Sequence, residues 1–347
     1  MNKIKSTIAR LCDIMTVSGF EHRYEKEILS LLSEFGEASV DRMGNYIVKK
    51  RSLDENAPLL LIDAHIDEIG LAVTKIHDGG FLSMTSIGGI DAHILQSAEV
   101  EIYGKEKIYG VVTSTPPHLS KSSDNTLEKP EDLLIDTGIE KSRLETLIPI
   151  GSPIKLTGGL IELENDVVSA RGLDNKACCA CALEAISHIP PQEMKFNVAV
   201  VLSLREESGG YVGAKTALNS ISPDVAISLD VNFAKAPETS EAESAVRGEG
   251  CTISLSAVTS RRLTKEIIGV AKYSRSPYRV IAEPNNVGMN ANAIGLCQGG
   301  VHCADMGIPL TSMHTTAETV SLRDCLSLTG ILHAFIRNEA LAKEYSK

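Results

Sequence analysis

The chain has 347 residues, of which 43% are hydrophobic and 23% are charged, and its formal net charge is −11. This is a globular composition, long enough for one large domain or two smaller ones. The acidic balance, the lack of a basic stripe and an aromatic content of 4% argue against nucleic acid as a partner. No hydrophobic run approaches the length of a membrane span, so we expect no membrane association.

The N-terminal segment "MNKIKSTIARLCDIM" predicts an amphipathic helix, because its hydrophobic residues recur on one helical face. It is too polar for the core of a signal peptide, so we expect a cytoplasmic protein with free thiols. Cys178, Cys179 and Cys181 cluster in a predicted helix without Cys-x-x-Cys spacing. This arrangement favours small core residues over a metal or redox site.

Further along the chain, a second helix is expected from about Glu21, followed by short strands. The stretch "APLLLIDAHIDEIG" is continuously hydrophobic up to Asp63, as in a strand buried on both faces. From Gly70 to about Val168, alternating segments with glycine turns predict antiparallel β structure, interrupted by the polar, exposed loop "TPPHLSKSSDNTLEKPEDL". From Leu173 onward, helices and buried strands alternate, which predicts a largely parallel sheet covered by helices.

The chain order of these elements predicts an α/β fold that is split in sequence. Residues 1–69 and 166–347 are expected to form one domain around a mainly parallel, helix-covered sheet. The antiparallel pattern of residues 70–165 suits a small barrel or a sandwich, and we expect an inserted small β-barrel domain.

Possible metal ligands stand near strand ends or helix starts in five segments. In "DAHIDEIG", His65 and Asp67 are two residues apart, so on an extended strand they share a face and Asp67 could orient the imidazole. In "RGLDNKACC", Asp174 stands where a helix starts, a position that an aspartate also occupies as an N-cap. Neither segment alone distinguishes a ligand from a structural residue.

The third segment, "LREESGG", places Glu206 and Glu207 directly after a buried strand. Two adjacent carboxylates at such a position are costly unless something uses or neutralises them. The structural alternative is a solvated turn in which one of them pairs with Lys215 or Arg205.

The last two segments are "ISLDVNF", in which Asp230 ends a hydrophobic strand, and "LTSMHTTAETVSLRD", in which His314 precedes a threonine-rich turn. Asp230 could equally cap a turn, and a lone histidine is more often a surface or core residue. Together, however, the five segments supply nitrogen and oxygen ligands without a thiolate, which suits Zn, Co or Mn. Such a set could hold two metals with one bridging carboxylate and room for a bridging water, as in a two-metal hydrolase.

Competing catalytic patterns are absent from the sequence. There is no Gly-x-Ser-x-Gly elbow, no Walker A loop and no His-Glu-x-x-His. Gly79-Gly80 and Gly88-Gly89 are typical of hairpin turns and not of phosphate loops.

The order of the motifs "SGFEHRYEKEI", "DAHIDEIG", "TPPHL", "GLDNKACC", "EESGGYVGA", "LDV" and "MHTTAETVSLRD" resembles that of the glutamyl/tetrahedral aminopeptidase family. These are dinuclear metallopeptidases that were once widely labelled endoglucanases. The resemblance covers nearly the whole chain. It implies that residues 1–69 and 166–347 form the catalytic domain and that residues 70–165 form a dimerisation domain.

The resemblance also implies a role for each residue and two divalent metal ions per subunit, Zn or Co. His65 and Asp230 would bind one metal, Glu207 and His314 would bind the other, Asp174 would bridge the two, and Asp67 would orient His65. Glu206 would be the general base that takes a proton from the water between the metals and passes it to the leaving amine. The implied substrates are peptides with a free N-terminus, and the implied assembly is a homo-oligomer, from a dimer to a dodecamer.

The sequence departs from the family pattern at positions that bear on substrate preference. Arg205 stands where the family often has Gln, an extra residue precedes the helix in 208–211, and Thr316 replaces a common Pro. The 288–295 stretch reads "GMNANAIG" where Gly-Thr-Asp-Ala is usual. Arg205 could also change the pKa of the base.

Three alternatives to an aminopeptidase stay open at this point. A dinuclear deacylase or dipeptidase would keep the fold and the metals. A metal-free glycosidase with paired carboxylates would leave His65 and His314 without roles. An inactive scaffold would not need the complete ligand set.

Overall fold

The structure is a computed structural model that describes residues 1–114, 129–237, 239–283, 289–296 and 299–346. Residues 115–128 of the predicted exposed loop, including its Pro-Pro-His segment, lie outside the described residues. Gly288, the first residue of the 288–295 stretch, lies outside them as well.

Helices and strands alternate along the described chain. The helices are α1 (Asn2–Asp13), α2 (Glu25–Leu32), α3 (Ala92–Leu95), α4 (Lys141–Leu147), α5 (Leu173–Ser187), α6 (Val212–Ile221), α7 (Arg261–Ser274), α8 (Ala291–Ile294), α9 (Leu322–Ile336) and α10 (Glu339–Tyr345). The helix expected from about Glu21 begins as a 3₁₀ turn and continues as α2. None of the helices that the described residues form has the length and hydrophobicity needed to cross a bilayer.

The strands belong to one large sheet and one barrel. They are β1 (Glu37–Val40), β2 (Tyr46–Lys50), β3 (Leu59–His65), β4 (Gly70–Ile76), β5 (Phe81–Ile87), β6 (Glu99–Tyr103), β7 (Lys107–Val112), β8 (Leu134–Asp136), β9 (Pro153–Leu156), β10 (Ile161–Leu163), β11 (Val167–Ala170), β12 (Asn197–Ser203), β13 (Val225–Phe233), β14 (Cys251–Ser256), β15 (Tyr278–Glu283), β16 (His302–Thr311) and β17 (Glu318–Ser321).

Eleven of the described strands form the large sheet, in the order β1-β2-β12-β3-β13-β16-β17-β11-β10, with β14 joined to β16 and β15 to β14. The four central strands, β12, β3, β13 and β16, run parallel. Helices α1, α5, α7 and α9 pack on one face, and α6 and α8 pack on the other. The predicted helix-covered sheet is confirmed, with its parallel character concentrated at the centre and antiparallel strands on both flanks.

The described residues of the inserted domain form a closed barrel of six strands in the order β4-β5-β8-β7-β6-β9, with its own hydrophobic core. Its first strand begins at Gly70, where we expected the insertion to begin. Its last strand ends at Leu156, whereas the insertion was expected to run to residue 165. The difference arises because β10 pairs with β11 and therefore belongs to the large sheet. The alternating pattern of residues 161–170 suits either domain.

Helix α5 lies at the centre of the main core. Its residues from Leu173 to Ile186 are buried, and the helix contacts α1, α9, β3 and β13. Small side chains let these elements approach closely. The prediction that Cys178, Cys179 and Cys181 are core residues in a helix is confirmed, because all three are fully buried as free thiols.

A buried ion group joins three separate parts of the chain next to the sheet edge. The carboxylate of Glu68, just beyond β3, contacts the guanidinium of Arg171 and lies 2.9 Å from the ammonium of Lys176. It also accepts a hydrogen bond from the main-chain N–H of Thr16, at 3.2 Å, in the N-terminal segment. Burial would raise the pKa of Glu68, but the two cations lower it to about 2.

We expect Glu68→Gln to destabilise the fold by about 3–5 kcal/mol at pH 7, because it leaves two buried cations without a counter-charge. Because the pKa of Glu68 is lower in the folded than in the unfolded chain, its ionised carboxylate stabilises the folded state at neutral pH. The loss of stability in Glu68→Gln should therefore shrink as the pH falls below about 4.5 toward 2. Urea unfolding of the chelator-treated protein measures both effects. The control is Glu162→Gln, which breaks only the surface pair with Lys5 and should cost less than about 1 kcal/mol. Equal losses in the two variants would contradict this account.

Candidate active site

The predicted ligands converge at the carboxyl edge of the parallel strands, where polar groups from neighbouring strands meet. In chain order they are His65 at the end of β3, Asp174 at the start of α5, Glu207 in the turn after β12, Asp230 near the end of β13 and His314 in the turn between β16 and β17. The two histidines are more than 240 positions apart in the sequence, yet both face the carboxylate of Asp174.

The first group of ligands is His65, Asp174 and Asp230, all of them buried. The Nε2 of His65 lies 3.2 Å from Oδ1 of Asp174 and 3.6 Å from Oδ1 of Asp230. Burial disfavours the charged form of His65, but the two carboxylates raise its pKa well above the usual value. A positive charge is therefore favourable at this position.

The second group is Asp174, Glu207 and His314. The Nε2 of His314 lies 3.5 Å from Oδ2 of Asp174 and 3.4 Å from Oε2 of Glu207. Hydrogen bonds with these carboxylates raise the pKa of His314 to about 11. Asp174 thus presents one oxygen to each histidine, which favours the ligand interpretation of this residue over an N-cap.

Within each group the ligand atoms lie within 4.8 Å of one another, which is close enough to surround one metal ion. Burial would raise the pKa of Asp174, but hydrogen bonds with both histidines outweigh it and hold the pKa well below its usual range. Imidazole nitrogens and carboxylate oxygens without a thiolate are suitable ligands for Zn, Co and Mn. The two groups, which share Asp174, therefore fit two divalent metal ions.

The two adjacent glutamates do not form a solvated turn, because their side chains are only 12% and 5% exposed. Glu206 turns its Oε2 toward His65, 4.0 Å from Nε2, whereas Glu207 faces His314. Burial raises the pKa of Glu206 to about 8, against the influence of His65, and Asp230, Glu207 and Asp67 add to the rise. Lys215, the cation considered as a partner, donates to the main-chain oxygen of Gly210 at 2.8 Å.

Asp67 lies two residues beyond the end of β3 at His65, and its carboxylate faces the imidazole of that residue. The Nδ1 of His65 lies 3.0 Å from the main-chain oxygen of Asp67 and 3.6 Å from its carboxylate. The carboxylate also accepts hydrogen bonds from the main-chain N–H groups of Glu206 and Glu207, at 3.2 Å each. Asp67 therefore faces His65 with both its main-chain oxygen and its carboxylate, and the carboxylate also positions the glutamate turn.

Glu318 is a site residue that the sequence interpretation did not single out. Its carboxylate is buried and accepts from the main-chain N–H of Asp174 at 3.0 Å and from that of His314 at 2.8 Å. Burial and the proximity of Asp174 raise its pKa to about 8, and the two N–H donors oppose the rise. The signal in the sequence was an acidic residue four positions after His314, at the start of a short strand.

The main-chain oxygen of Gly89 is the second missed contact, because Gly88-Gly89 was interpreted as a simple hairpin turn. Gly89 lies between β5 and α3 in the barrel, and its oxygen is 2.9 Å from Nδ1 of His314. Nothing in a lone glycine pair indicates such a contact.

Two of the residues that depart from the family pattern have a described structural setting, Arg205, which directly precedes Glu206, and Asn290. Arg205 is exposed and has a left-handed backbone, with φ of 59°. Burial raises the pKa of Glu21 to about 7, and Arg205 is among the groups that oppose the rise. Asn290, from the altered stretch, is buried and donates to Asp63 at 2.7 Å and to Ser203 at 2.9 Å, which anchors that stretch to β3 and β12.

Comparison with known proteins agrees with this architecture and site. A family model described as M42 glutamyl aminopeptidase matches residues 44–330. The chain belongs to this family. It is therefore a peptidase, a hydrolase of the aminopeptidase type, and the resemblance seen in the motifs is confirmed.

Individual relatives are similar to the chain over most of their length. The chain is 28% identical to the lysyl aminopeptidase of Pyrococcus furiosus over 315 residues, 89% of each protein. It is 23% identical to the glutamyl aminopeptidase of Lactococcus lactis over 340 residues, 95% of this chain and 94% of the relative. Among solved structures, the TET1 peptidase of Pyrococcus horikoshii aligns with a TM-score of 0.84 at 29% identity, covering 96% of this chain and 99% of the other.

We expect Glu318→Ala to destabilise the chelator-treated protein by about 1–3 kcal/mol for each of the two buried N–H groups that lose their acceptor. Amide hydrogen exchange at Asp174 and His314 should become faster in the same variant. The control is Glu339→Ala, which removes an exposed carboxylate that pairs with Lys343 and should change stability by less than about 0.5 kcal/mol. Unchanged exchange at both amides would show that Glu318 does not hold them in solution.

Proposed function

We propose that this chain is a metal-dependent aminopeptidase that releases N-terminal residues from peptides and uses two divalent metal ions per subunit, Zn or Co. The observation that carries the proposal is the pair of ligand groups that share Asp174, with the carboxylate of Glu206 beside the first group. Two bound divalent ions would lower the pKa of a water molecule and polarise the scissile carbonyl. The ligands would be His65 and Asp230 on one side and Glu207 and His314 on the other, with Asp174 between them.

Glu206 is the general base of the proposed reaction. It would accept the proton of the attacking water and pass it to the nitrogen of the leaving amine. Its partly buried carboxylate and raised pKa support this role, because both make it a stronger proton acceptor than an exposed glutamate. Asp67 holds the main-chain N–H of Glu206 and so keeps the base in place.

The charge of the site favours a substrate that carries a free α-ammonium group. Five carboxylates converge here, those of Asp67, Asp174, Glu206, Glu207 and Asp230, against two histidines. Two bound divalent ions would offset four of these five charges, and the remaining negative charge would attract a cationic group and repel a C-terminal carboxylate. This supports cleavage at the N-terminus of a peptide.

We also propose that the protein forms homo-oligomers through the inserted barrel. Strand β7 alternates buried and exposed residues and places Tyr109 and Val111, 61% and 46% exposed, side by side on its outer face. The similar TET1 peptidase is described as assembling into a tetrahedron or a large octahedral shell. The mass in solution tests this proposal. A cytoplasmic location stays a prediction.

We expect Glu206→Gln to reduce turnover at least about a hundredfold while both metal ions stay bound, because the amide cannot accept the proton but has the shape of the carboxylate. Turnover of an aminoacyl p-nitroanilide and the metal content after gel filtration are the two measurements. Glu21→Gln is the control, since Glu21 is a buried carboxylate near Asp67 and outside the ligand groups. Near-normal turnover of Glu206→Gln would show that another group is the base.

Asp174→Ala should lose both metal binding and activity, because this carboxylate faces both histidines. Metal stoichiometry after reconstitution with Zn, Co or Mn measures the loss. An Asp174→Ala variant that still binds two metal ions would refute the shared-carboxylate arrangement. If the unmodified protein binds no metal and is inactive, a scaffold replaces the enzyme as the best interpretation.

A substrate panel separates the proposed activity from its alternatives. Aminoacyl p-nitroanilides and peptides with a free N-terminus should be hydrolysed, N-acetylated versions should not, and a chelator should abolish the activity. Hydrolysis of N-acyl amino acids alone would indicate a deacylase, and cleavage of dipeptides alone would indicate a dipeptidase. Glycosidase activity that survives the chelator would overturn the proposal.

A further inference from the structure

We infer that the inserted barrel contributes to the proposed metal site, because the main-chain carbonyl of Gly89 positions the ring of His314. The inference rests on the proposed function, in which His314 binds a metal ion. It assigns to the insertion a positioning role in the catalytic site, in addition to any role in assembly.

The hydrogen bond of the ring determines which nitrogen of His314 can bind a metal. Nδ1 lies 2.9 Å from the oxygen of Gly89, and Nε2 faces Asp174 and Glu207 at 3.5 and 3.4 Å. A carbonyl oxygen only accepts, so Nδ1 must carry the hydrogen, and Nε2 keeps its lone pair in the neutral ring. A histidine ligand usually needs such an acceptor on its other nitrogen.

Two separate contacts hold His314, which has a left-handed backbone with φ of 60°. Its main-chain N–H is bound by Glu318, which belongs to the sheet domain, and its ring is bound by Gly89, which belongs to the barrel. The first contact sets the position of the Cα atom, and the second sets the rotation of the ring. Both are needed because the residue lies in a turn and is 32% exposed on its side chain.

The turn that carries Gly89 is anchored on the sheet domain. Ile87, which precedes it, packs with a small cluster formed by Met15, Val17 and Tyr103. Arg23 adds a hydrogen bond to the main-chain oxygen of Tyr103 at 2.6 Å. This packing joins the barrel to the N-terminal segment and so restrains the position of the turn that carries the carbonyl of Gly89.

The turn at Gly88-Gly89 lies close to its neighbours, which favours glycine at both positions. A Cβ atom on Gly89 would lie 3.2 Å from Nδ1 of His314, which is tighter than ordinary van der Waals contact, so the imidazole would have to shift by a few tenths of an ångström. A Cβ atom on Gly88 would lie 2.8 Å from Cγ2 of Ile69, and the φ of Gly88 is 80°. A side chain at position 89 would therefore crowd the imidazole, and one at position 88 would crowd Ile69 and would also need a left-handed backbone, which glycine adopts readily.

Gly89→Ala tests the inference, because it presses a methyl group on the imidazole without requiring a left-handed backbone. We expect one of the two metal ions to bind about 10–100-fold more weakly and the other to bind normally. Isothermal titration with zinc after chelator treatment measures both affinities. The matched control is Gly159→Ala, since a Cβ atom there meets nothing within 4 Å, and it should bind both ions normally.

Unchanged affinities in Gly89→Ala overturn the inference, as does equal weakening in the two variants. Near-ultraviolet circular dichroism and the Tm of the metal-free proteins identify a variant that fails to fold. A crystal structure of the unmodified, zinc-loaded protein is then the deciding measurement. It should show Nε2 of His314 about 2.0–2.1 Å from zinc and Nδ1 bound to Gly89, and the reverse orientation refutes the inference. If the unmodified protein binds no zinc, the proposed function itself fails.

Discussion

The site is organised around one buried carboxylate that must serve two sets of partners. Asp174 is 6% exposed and presents one oxygen to His65 and the other to His314. Further acidic groups crowd around it, and like charges at this density are unfavourable in a protein interior unless cations balance them. The need for positive charge at the edge of the sheet is therefore built into the fold. The surrounding structure must therefore hold these carboxylates close together against their mutual repulsion.

A second set of carboxylates holds the site residues in place by accepting hydrogen bonds from their main-chain N–H groups. Asp67 binds the N–H groups of the glutamate turn, and Glu318 binds those of Asp174 and His314. Glu68, next to Asp67, pairs with buried cations on the other side of the same segment. Each ligand-bearing turn is thus fixed by side chains that do not themselves enter the ligand groups.

The parts of the molecule that a local pattern encodes could be predicted from the sequence. Continuous hydrophobic runs indicated the central strands, glycine-rich alternation indicated the inserted β domain, and strand ends indicated where candidate ligands such as His65 and Asp230 would lie. Contacts between a side chain and a distant main-chain group could not be predicted in this way, because no residue type marks them. Glu318 and Gly89 were missed for that reason. The pairing of β10 with β11 could not be predicted either, because the alternating sequence of β10 suits a strand of either domain.

The way the barrel joins the sheet domain bears on how such a protein can change during evolution. Its first and last strands, β4 and β9, are neighbours, with Leu71 opposite Ile154, so the chain leaves and re-enters the sheet domain at almost one place. An insertion of this kind has the form of a cassette that recombination could replace as a unit. The carbonyl at Gly89 removes part of that freedom, because any replacement must return an acceptor to the same point beside His314.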